Sequence, residues 1–394
     1  MRQRWHLCVV TETYPPEING VAMTLARLVD GLRARGHAVS LVRPRRPALE
    51  GTGPVSDPAL TLVRGVPWPG YAGVRIGLPA GAVLRDRWTR RRPDVVYVAT
   101  EGPLGWSAVS TARRLGLPVF SGFHTDFGGY ARHYRAGWLA CCAAGYLRRF
   151  HNRSSGTLVA TPELRDQLLP EGFQNLSVLG RGVDSRLFSP GRRSAALRRG
   201  WGASEADLVV LWVGRLAPEK NVALAIEAYR AMQRARPGLR FVVVGDGPSR
   251  AALQRAHADL LFAGALRGER LATHYASADV FLFPSETETF GNVILEALAS
   301  GLVVVAYDYA AAGQHIAHGR SGTLVPYGNT WAFVDSAAAL ARSPEALARM
   351  RRQARASVAH LGWDAVVARF EALVGEASSG PLERTLVHTG RDHR

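Results

Sequence analysis

Two carboxylates eight positions apart, Glu288 and Glu296, stand in the segment 284–301, PSETETFGNVILEALASG. The apolar run Val280–Phe283 before it reads as a strand, and Val293–Ala299 after it as a helix built from good helix formers. At a strand–loop–helix junction of this kind Phe290, Gly291, Asn292 and Val293 offer backbone N–H groups that have no intrahelical acceptor, and Gly291 has no side chain to hold an anion away. A phosphate fits there. Glu296, within the first two turns, can accept hydrogen bonds from hydroxyls beside that phosphate, while Glu288 stands in the loop before it. The arrangement suits a sugar nucleotide. From this segment alone a surface helix with one solvated Glu behind an acidic loop reads equally well, because acidic residues near helix N-termini are ordinary dipole partners.

A second group lies upstream. Of 49 basic residues Lys220 is the only lysine, and it falls in GRLAPEKN, between the apolar run Leu208–Val213 and an Ala-rich helical stretch. Its compact ammonium with rotatable donors fits against a diphosphate where the planar guanidinium fork does not. Asn19 and Gly20 close the loop YPPEING and place amides at the start of another helix, although Pro–Pro followed by Asn–Gly is also simply a good turn. His124 ends the run PVFSGFHTDF, where its ring should emerge at a strand end.

The pair Glu288–x7–Glu296 within ETFGNVILEALASG resembles the signature of glycosyltransferase family 4, retaining enzymes of the GT-B fold. The likeness extends in the same order through ETYPPEINGVA at 12–22, GRGVD at 180–184, VGRLAPEKN at 213–221 and VVGDGP at 243–248. It implies an α/β protein of two Rossmann-like doubly wound domains facing an interdomain cleft. It also implies roles. Arg215 and Lys220 contact the leaving diphosphate, Glu288 orients the sugar and Glu296 the ribose, and His124 lies near the donor sugar. Asn19 and Gly20 meet the donor diphosphate from the opposite domain, Gly245 belongs to the turn beside the nucleotide, and Ala265 and Leu266 lie near the base. Tyr14, Asp126, Tyr130 and Arg181 fall on the acceptor side. Arg181 stands where the family usually has Asn before Gly–Val–Asp, and with TETYPPEINGVA and ATEGPLGWSA it points to the branch of sulfoquinovosyl-, mannosyl- and glucosyltransferases acting on lipids.

The elements that must position these groups follow an alternating pattern. Leu7–Val10, Val39–Val42, Val95–Val98, Val119–Ser121 and Thr157–Ala160 read as strands in the first half, and Val209–Val213, Phe241–Val244, Leu260–Ala263, Val280–Phe283 and Val303–Ala306 in the second. Helical stretches such as Gly20–Arg35, Val222–Ala235 and Glu345–Leu361 intervene, which predicts mainly parallel sheets with ligands at strand C-termini. A chain of 394 residues suits two domains. We expect an acceptor domain at 1–188 joined by the helix 363–377 returning to it, a nucleotide-sugar domain at 189–362, and a loose tail at 379–394.

Composition narrows the partners. Net charge is +17, and the excess lies in the first half, with Arg43, Arg45 and Arg46 together and Arg85, Arg87, Arg90, Arg91 and Arg92 around Trp88. Such patches suit an anionic membrane surface. Three cysteines, two of them adjacent, form no disulfide framework, and no stretch reaches the roughly 18 apolar residues of a membrane span. A cytoplasmic enzyme peripheral to the inner face of the cell membrane is expected. No Asp–x–Asp motif or His/Cys/carboxylate cluster has metal-ligand spacing, so neither metal nor other cofactor is expected, the nucleotide sugar being a substrate. The basic charge does not organise into a recognised nucleic-acid module, so no nucleic-acid partner is expected. The resulting reading is transfer of a hexose from a GDP-mannose- or UDP-glucose-type donor to an acceptor hydroxyl, on a membrane glycolipid or phospholipid. A soluble transferase of polysaccharide or small-glycoside synthesis, a sugar-nucleotide epimerase and a non-catalytic sugar-nucleotide-binding protein remain alternatives at this level.

Overall fold

The computed structural model describes residues 4–17, 19–46, 50, 57–68, 75–124 and 137–378. Asp126, Tyr130 and the tail 379–394 lie outside the described residues. The chain divides into two compact units, one holding residues up to His124, Cys142–Leu179 and the chain from Val366, the other including Gly180–Ala365.

The first unit is built on strands β1 (His6–Val10), β2 (Ala38–Pro44), β3 (Leu60–Val63), β6 (Val95–Val98), β7 (Val119–Phe123), β8 (Gly156–Val159) and β9 (Leu176–Val178), with a separate antiparallel ribbon of β4 (Gly65–Pro67) and β5 (Arg75–Gly77). The seven form one parallel sheet in the order β3-β2-β1-β6-β7-β8-β9. Central strands such as Val-Val-Tyr-Val of β6 are buried at every position, the pattern of a sheet covered on both faces. Helices α1 (Gly20–Ala34), α2 (Gly81–Arg90), α3 (Pro103–Arg114) and α4 (Gly137–His151) belong to the crossovers.

The second unit repeats the plan. Strands β10 (Val209–Val213), β11 (Arg240–Val244), β12 (Leu261–Gly264), β13 (Val280–Phe283), β14 (Val303–Tyr307) and β15 (Gly322–Val325) form a parallel sheet in the order β12-β11-β10-β13-β14-β15. Helices α5 (Val222–Ala235) and α6 (Asn292–Ala299) follow β10 and β13. The last helix, α7 (Trp363–Ser378), buries Val367, Phe370, Leu373 and Val374 in the core of the first unit beside Leu25, Leu28 and Tyr97. It lies close on α1, for a Cβ on Gly31 would stand 2.5 Å from Val367 Cγ2.

Two surface readings are corrected. Trp88 is only 2% exposed, its ring packed in the core rather than among the arginines of its helix. Arg43 and Arg46 are also buried, and their guanidinium groups pair with Glu50 and Glu17. A sequence cluster of cations was read as a patch where two of its members serve internal ion pairs.

Candidate active site

In the second unit, the residues singled out in the sequence gather at the C-terminal ends of adjacent strands. Arg215 and Lys220 follow β10, Gly245 follows β11, Ala265 and Leu266 follow β12, and Glu288 follows β13. Strand order reverses between β10 and β13, the place where open α/β sheets receive ligands. Lys220 and Glu288 come from the loops after those two strands. Lys220 Nζ lies 2.5 Å from Glu288 Oε1 and donates to the Thr287 carbonyl at 3.1 Å. Ser285 Oγ donates to the same carboxylate oxygen at 2.8 Å.

The loops are clasped to each other by more than this pair. Asn221, in the left-handed region at φ 47°, caps α5 with Oδ1 and donates Nδ2–H to Glu286 Oε1 at 3.0 Å. Tyr309 and Tyr327 donate to the Ser285 and Glu286 carbonyls, each at 2.7 Å. Tyr309 and Tyr327 carry no periodic or motif signal in the sequence, and Asn221, although it closes VGRLAPEKN, takes no role from the sequence alone.

The glycines of GDGP work through the backbone. A Cβ on Gly245, at φ 143°, would collide with the Gly214 carbonyl oxygen, and one on Gly247 would stand 2.8 Å from Leu216 N. Close approach lets Leu216 N–H donate to the Asp246 carbonyl at 2.9 Å and Ser249 N–H to the Leu216 carbonyl at 3.0 Å. The turn therefore braces the segment that carries Arg215.

At the start of α6, Gly291 has φ 95°, a conformation costly for any other residue, whereas a Cβ there would meet nothing nearer than 3.7 Å. Conformation, more than space, requires glycine. Phe290 is buried, and its carbonyl accepts from Ala311 N–H at 2.9 Å, which fixes the entry of the helix. The N-terminal end of α6 carries the partial positive charge of a helix start and suits an anion. Glu296 is half-buried beside the Tyr275 hydroxyl, whose pKa is pushed well above 10 by burial and by the Glu296 charge.

The first unit holds the remaining residues. Asn19 caps α1, its Oδ1 accepting from Ala22 N–H at 2.8 Å, and its Nδ2–H donates to Thr13 Oγ1 at 2.6 Å; Gly20 beside it is exposed. His124, buried at the end of β7, has Nε2 2.8 Å from the Tyr97 hydroxyl, and Tyr97 packs edge-on against Phe370 of α7. Gly122 leaves room for that pair, since a Cβ there would stand 2.5 Å from His124 Nε2. Tyr14 is half-buried against the core. Arg181 belongs to the second unit, 7% exposed, with Nη1 donating to the Gly180 carbonyl at 3.2 Å. Among the described residues no group of three or more His, Cys, Asp and Glu side chains is placed to hold a metal ion, and no helix is long and apolar enough to cross a membrane.

Two doubly wound parallel sheets, with a Lys–Glu pair at one switch point beside an amide-lined helix start, define a nucleotide-sugar glycosyltransferase of the GT-B class. Residues 18–187 match the model of "Glycosyltransferase Family 4" and residues 207–343 that of "Glycosyl transferases group 1". The chain is 34% identical over 387 residues to a GDP-mannose-dependent alpha-mannosyltransferase of Mycobacterium tuberculosis, covering 95% of this chain and 98% of that one. It is 26% identical over 324 residues to the alpha-monoglucosyldiacylglycerol synthase of Acholeplasma laidlawii, covering 76% and 80% of the two chains. Among solved structures, sucrose-phosphate synthase from Thermosynechococcus elongatus superposes with a TM-score of 0.74 at 16% identity, covering 95% of this chain and all of that one, a likeness of fold. The chain belongs to glycosyltransferase family 4.

Proposed function

We propose that this enzyme transfers mannose, with retention of anomeric configuration, from GDP-mannose to a hydroxyl of a membrane lipid acceptor. The observation that carries the reading is the Lys220–Glu288 pair beside the start of α6. Of the three N–H donors of Lys220, one is directed to Glu288 and one to the Thr287 carbonyl, leaving the third for a phosphate oxygen. Glu288 thereby aims the ammonium, and its other oxygen can accept from a sugar hydroxyl. As the bond between anomeric carbon and phosphate oxygen breaks, negative charge grows on the diphosphate, where Lys220, Arg215 and the first amides of α6 offset it. The acceptor oxygen bonds to the anomeric carbon on the face the diphosphate leaves, and its proton passes to the departing phosphate oxygen. Glu296 holds the ribose.

The choice of GDP-mannose rests on the mycobacterial relative and that of a lipid on the diacylglycerol glucosyltransferase. The surface of the first unit supports the second. Val66, Trp68, Leu78 and Val83 are each 37% to 49% exposed, and residues 64–92 around them carry seven arginines against the single carboxylate of Asp86. Exposed apolar side chains among cations suit peripheral attachment to an anionic leaflet, the cytoplasmic face of the cell membrane. Incubation with GDP-mannose, UDP-glucose and UDP-glucuronate, each with diacylglycerol-based acceptors in mixed micelles, tests the proposal. A mannolipid formed from GDP-mannose supports it; turnover of UDP-glucose alone refutes the donor, and transfer only to free saccharides refutes the acceptor.

A further inference from the structure

Strand order also reverses once in the first sheet, between β1 and β6, the place where open α/β sheets receive ligands. The residues that emerge there are Glu12, two past β1, and Glu101, three past β6. The donor reading uses neither.

Glu12 Oε1 accepts the amides of Gly77 and Leu104 at 3.3 and 3.4 Å. It thus supplies from another segment the cap that Gly102, at the N-cap of α3, cannot. Only glycine leaves it this position, because a Cβ on Gly102 would stand 2.5 Å from the carboxyl carbon. Capping accounts for Oε1. It does not account for Oε2, which accepts no hydrogen bond among the described residues.

Glu101 is 6% exposed, and its Oε1, 3.5 Å from His151 Nε2, has no hydrogen-bond partner among the described residues. His151 is fully buried and held from behind, Nδ1 lying 2.8 Å from Ser121 Oγ. Tyr146 donates to the Glu101 carbonyl at 2.5 Å and stacks on Trp106 with ring centroids 5.4 Å apart, yet 40% of it is exposed. Burial, then the Glu101 charge, push the Glu12 carboxyl up to about 7 against two backbone bonds that lower it; burial, then the charges of Glu101 and Glu12, raise the Tyr146 phenol. Glu12, Glu101 and Tyr146 meet through the backbone at 101–102, where the Glu101 carbonyl takes the Tyr146 hydroxyl and the next residue, Gly102, abuts the Glu12 carboxyl.

Two carboxyls together repel phosphate but accept from O–H donors, and an exposed aromatic face receives the C–H side of a sugar or polyol. We infer that this is a hydroxyl-recognition subsite for the acceptor: Glu12 Oε2 accepts from a hydroxyl of a sugar or polyol headgroup whose carbon face rests on Tyr146. Glu101 and His151 are positioning residues behind it. Only the word acceptor rests on the transferase reading; the subsite itself rests on this geometry.

The test follows the amide resonances of Gly77 and Leu104, which report on Glu12 directly. One arm titrates methyl α-mannopyranoside, the other a mannosyl diacylglycerol in detergent micelles. Saturable shifts of both amides are expected, lost in Glu12→Gln and Tyr146→Ala and kept in Tyr146→Phe. Glu12→Gln retains a carbonyl oxygen to cap α3, so its thermal midpoint at pH 6 should not fall, while its KM for acceptor rises about tenfold or more, the worth of one charged hydrogen bond, and its KM for donor stays put. Response to the free glycoside assigns a soluble headgroup, and response to the micelle alone a lipid-borne one; both support the subsite. No shift with either probe, or a wild-type acceptor KM in Glu12→Gln, overturns it. Shifts without any glycosyl transfer would leave the subsite standing and sink the transferase reading.

Discussion

Replacing Lys220 by Met separates the two tasks assigned to that ammonium. Lys220 and Glu288 are 20% and 15% exposed, so the lost ion pair costs stability through a largely buried carboxylate left without its cation. A hydrogen bond to a charged group is worth about 1.5–3 kcal/mol, which sets the expected loss near 2 kcal/mol, or several degrees in thermal midpoint. Adding Glu288→Gln removes the orphaned charge, keeps an acceptor for Ser285 Oγ and restores most of that stability. Activity follows a different course. If the third N–H of Lys220 meets the leaving diphosphate, its loss costs about 10²- to 10³-fold in kcat, the usual worth of one donor to a developing anion. The double variant does not recover it. Thermal denaturation and steady-state release of GDP from GDP-mannose, measured on wild type, both single variants and the double, give the full cycle. A double variant whose turnover returns with its stability would show that Lys220 only holds Glu288 in place, and the leaving-group role would be lost.

Four further outcomes follow. Glu12 has a folded pKa near 7 against 4.5 for the free side chain, so the folded state binds the extra proton between those values. Stability therefore falls as pH rises from about 4.5 to 7, by about 3 kcal/mol; Glu12→Gln removes this slope, and a thermal-midpoint difference from wild type that does not vary with pH would refute it. Gly245→Ala forces a Cβ against the Gly214 carbonyl and should destabilise the second unit by about 3 kcal/mol or more, seen in urea titration. Trp68→Ser together with Arg85→Ser should reduce flotation with anionic vesicles at low salt and leave GDP-mannose hydrolysis in solution unchanged; undiminished flotation would dismiss that face. Gly122→Ala should displace His124 from Tyr97 and lower turnover without altering GDP affinity, measured by calorimetry.

The core strands were legible because parallel sheets buried on both faces produce unbroken apolar runs such as Val95–Val98 and Val209–Val213. Short edge elements were not. β9 has three residues, and β4 and β5 pair only with each other, too short for any periodicity to emerge. Placement of Lys220, Glu288 and Glu296 at a strand–loop–helix junction was readable from residue type and spacing, whereas the bracing of that junction by Asn221, Tyr309 and Tyr327 depends on contacts across 24 to 65 positions. Arg43 and Arg46 show the opposite failure, since charge in a sequence does not declare whether a carboxylate such as Glu17 waits for it inside. Glu12 opens the motif ETYPPEINGVA but takes no role from the sequence alone; its weight comes from Gly77 and Leu104, which only the fold brings to it.

The central claim is that a nucleoside diphosphate binds at the C-terminal edge of the second sheet, on Arg215, Lys220 and the first amides of α6. Hydrogen exchange with and without saturating GDP addresses it directly. Slowed exchange in this unit at peptides spanning 214–220 and 288–296 is the predicted result; saturable binding of GDP that leaves those peptides unprotected would contradict it.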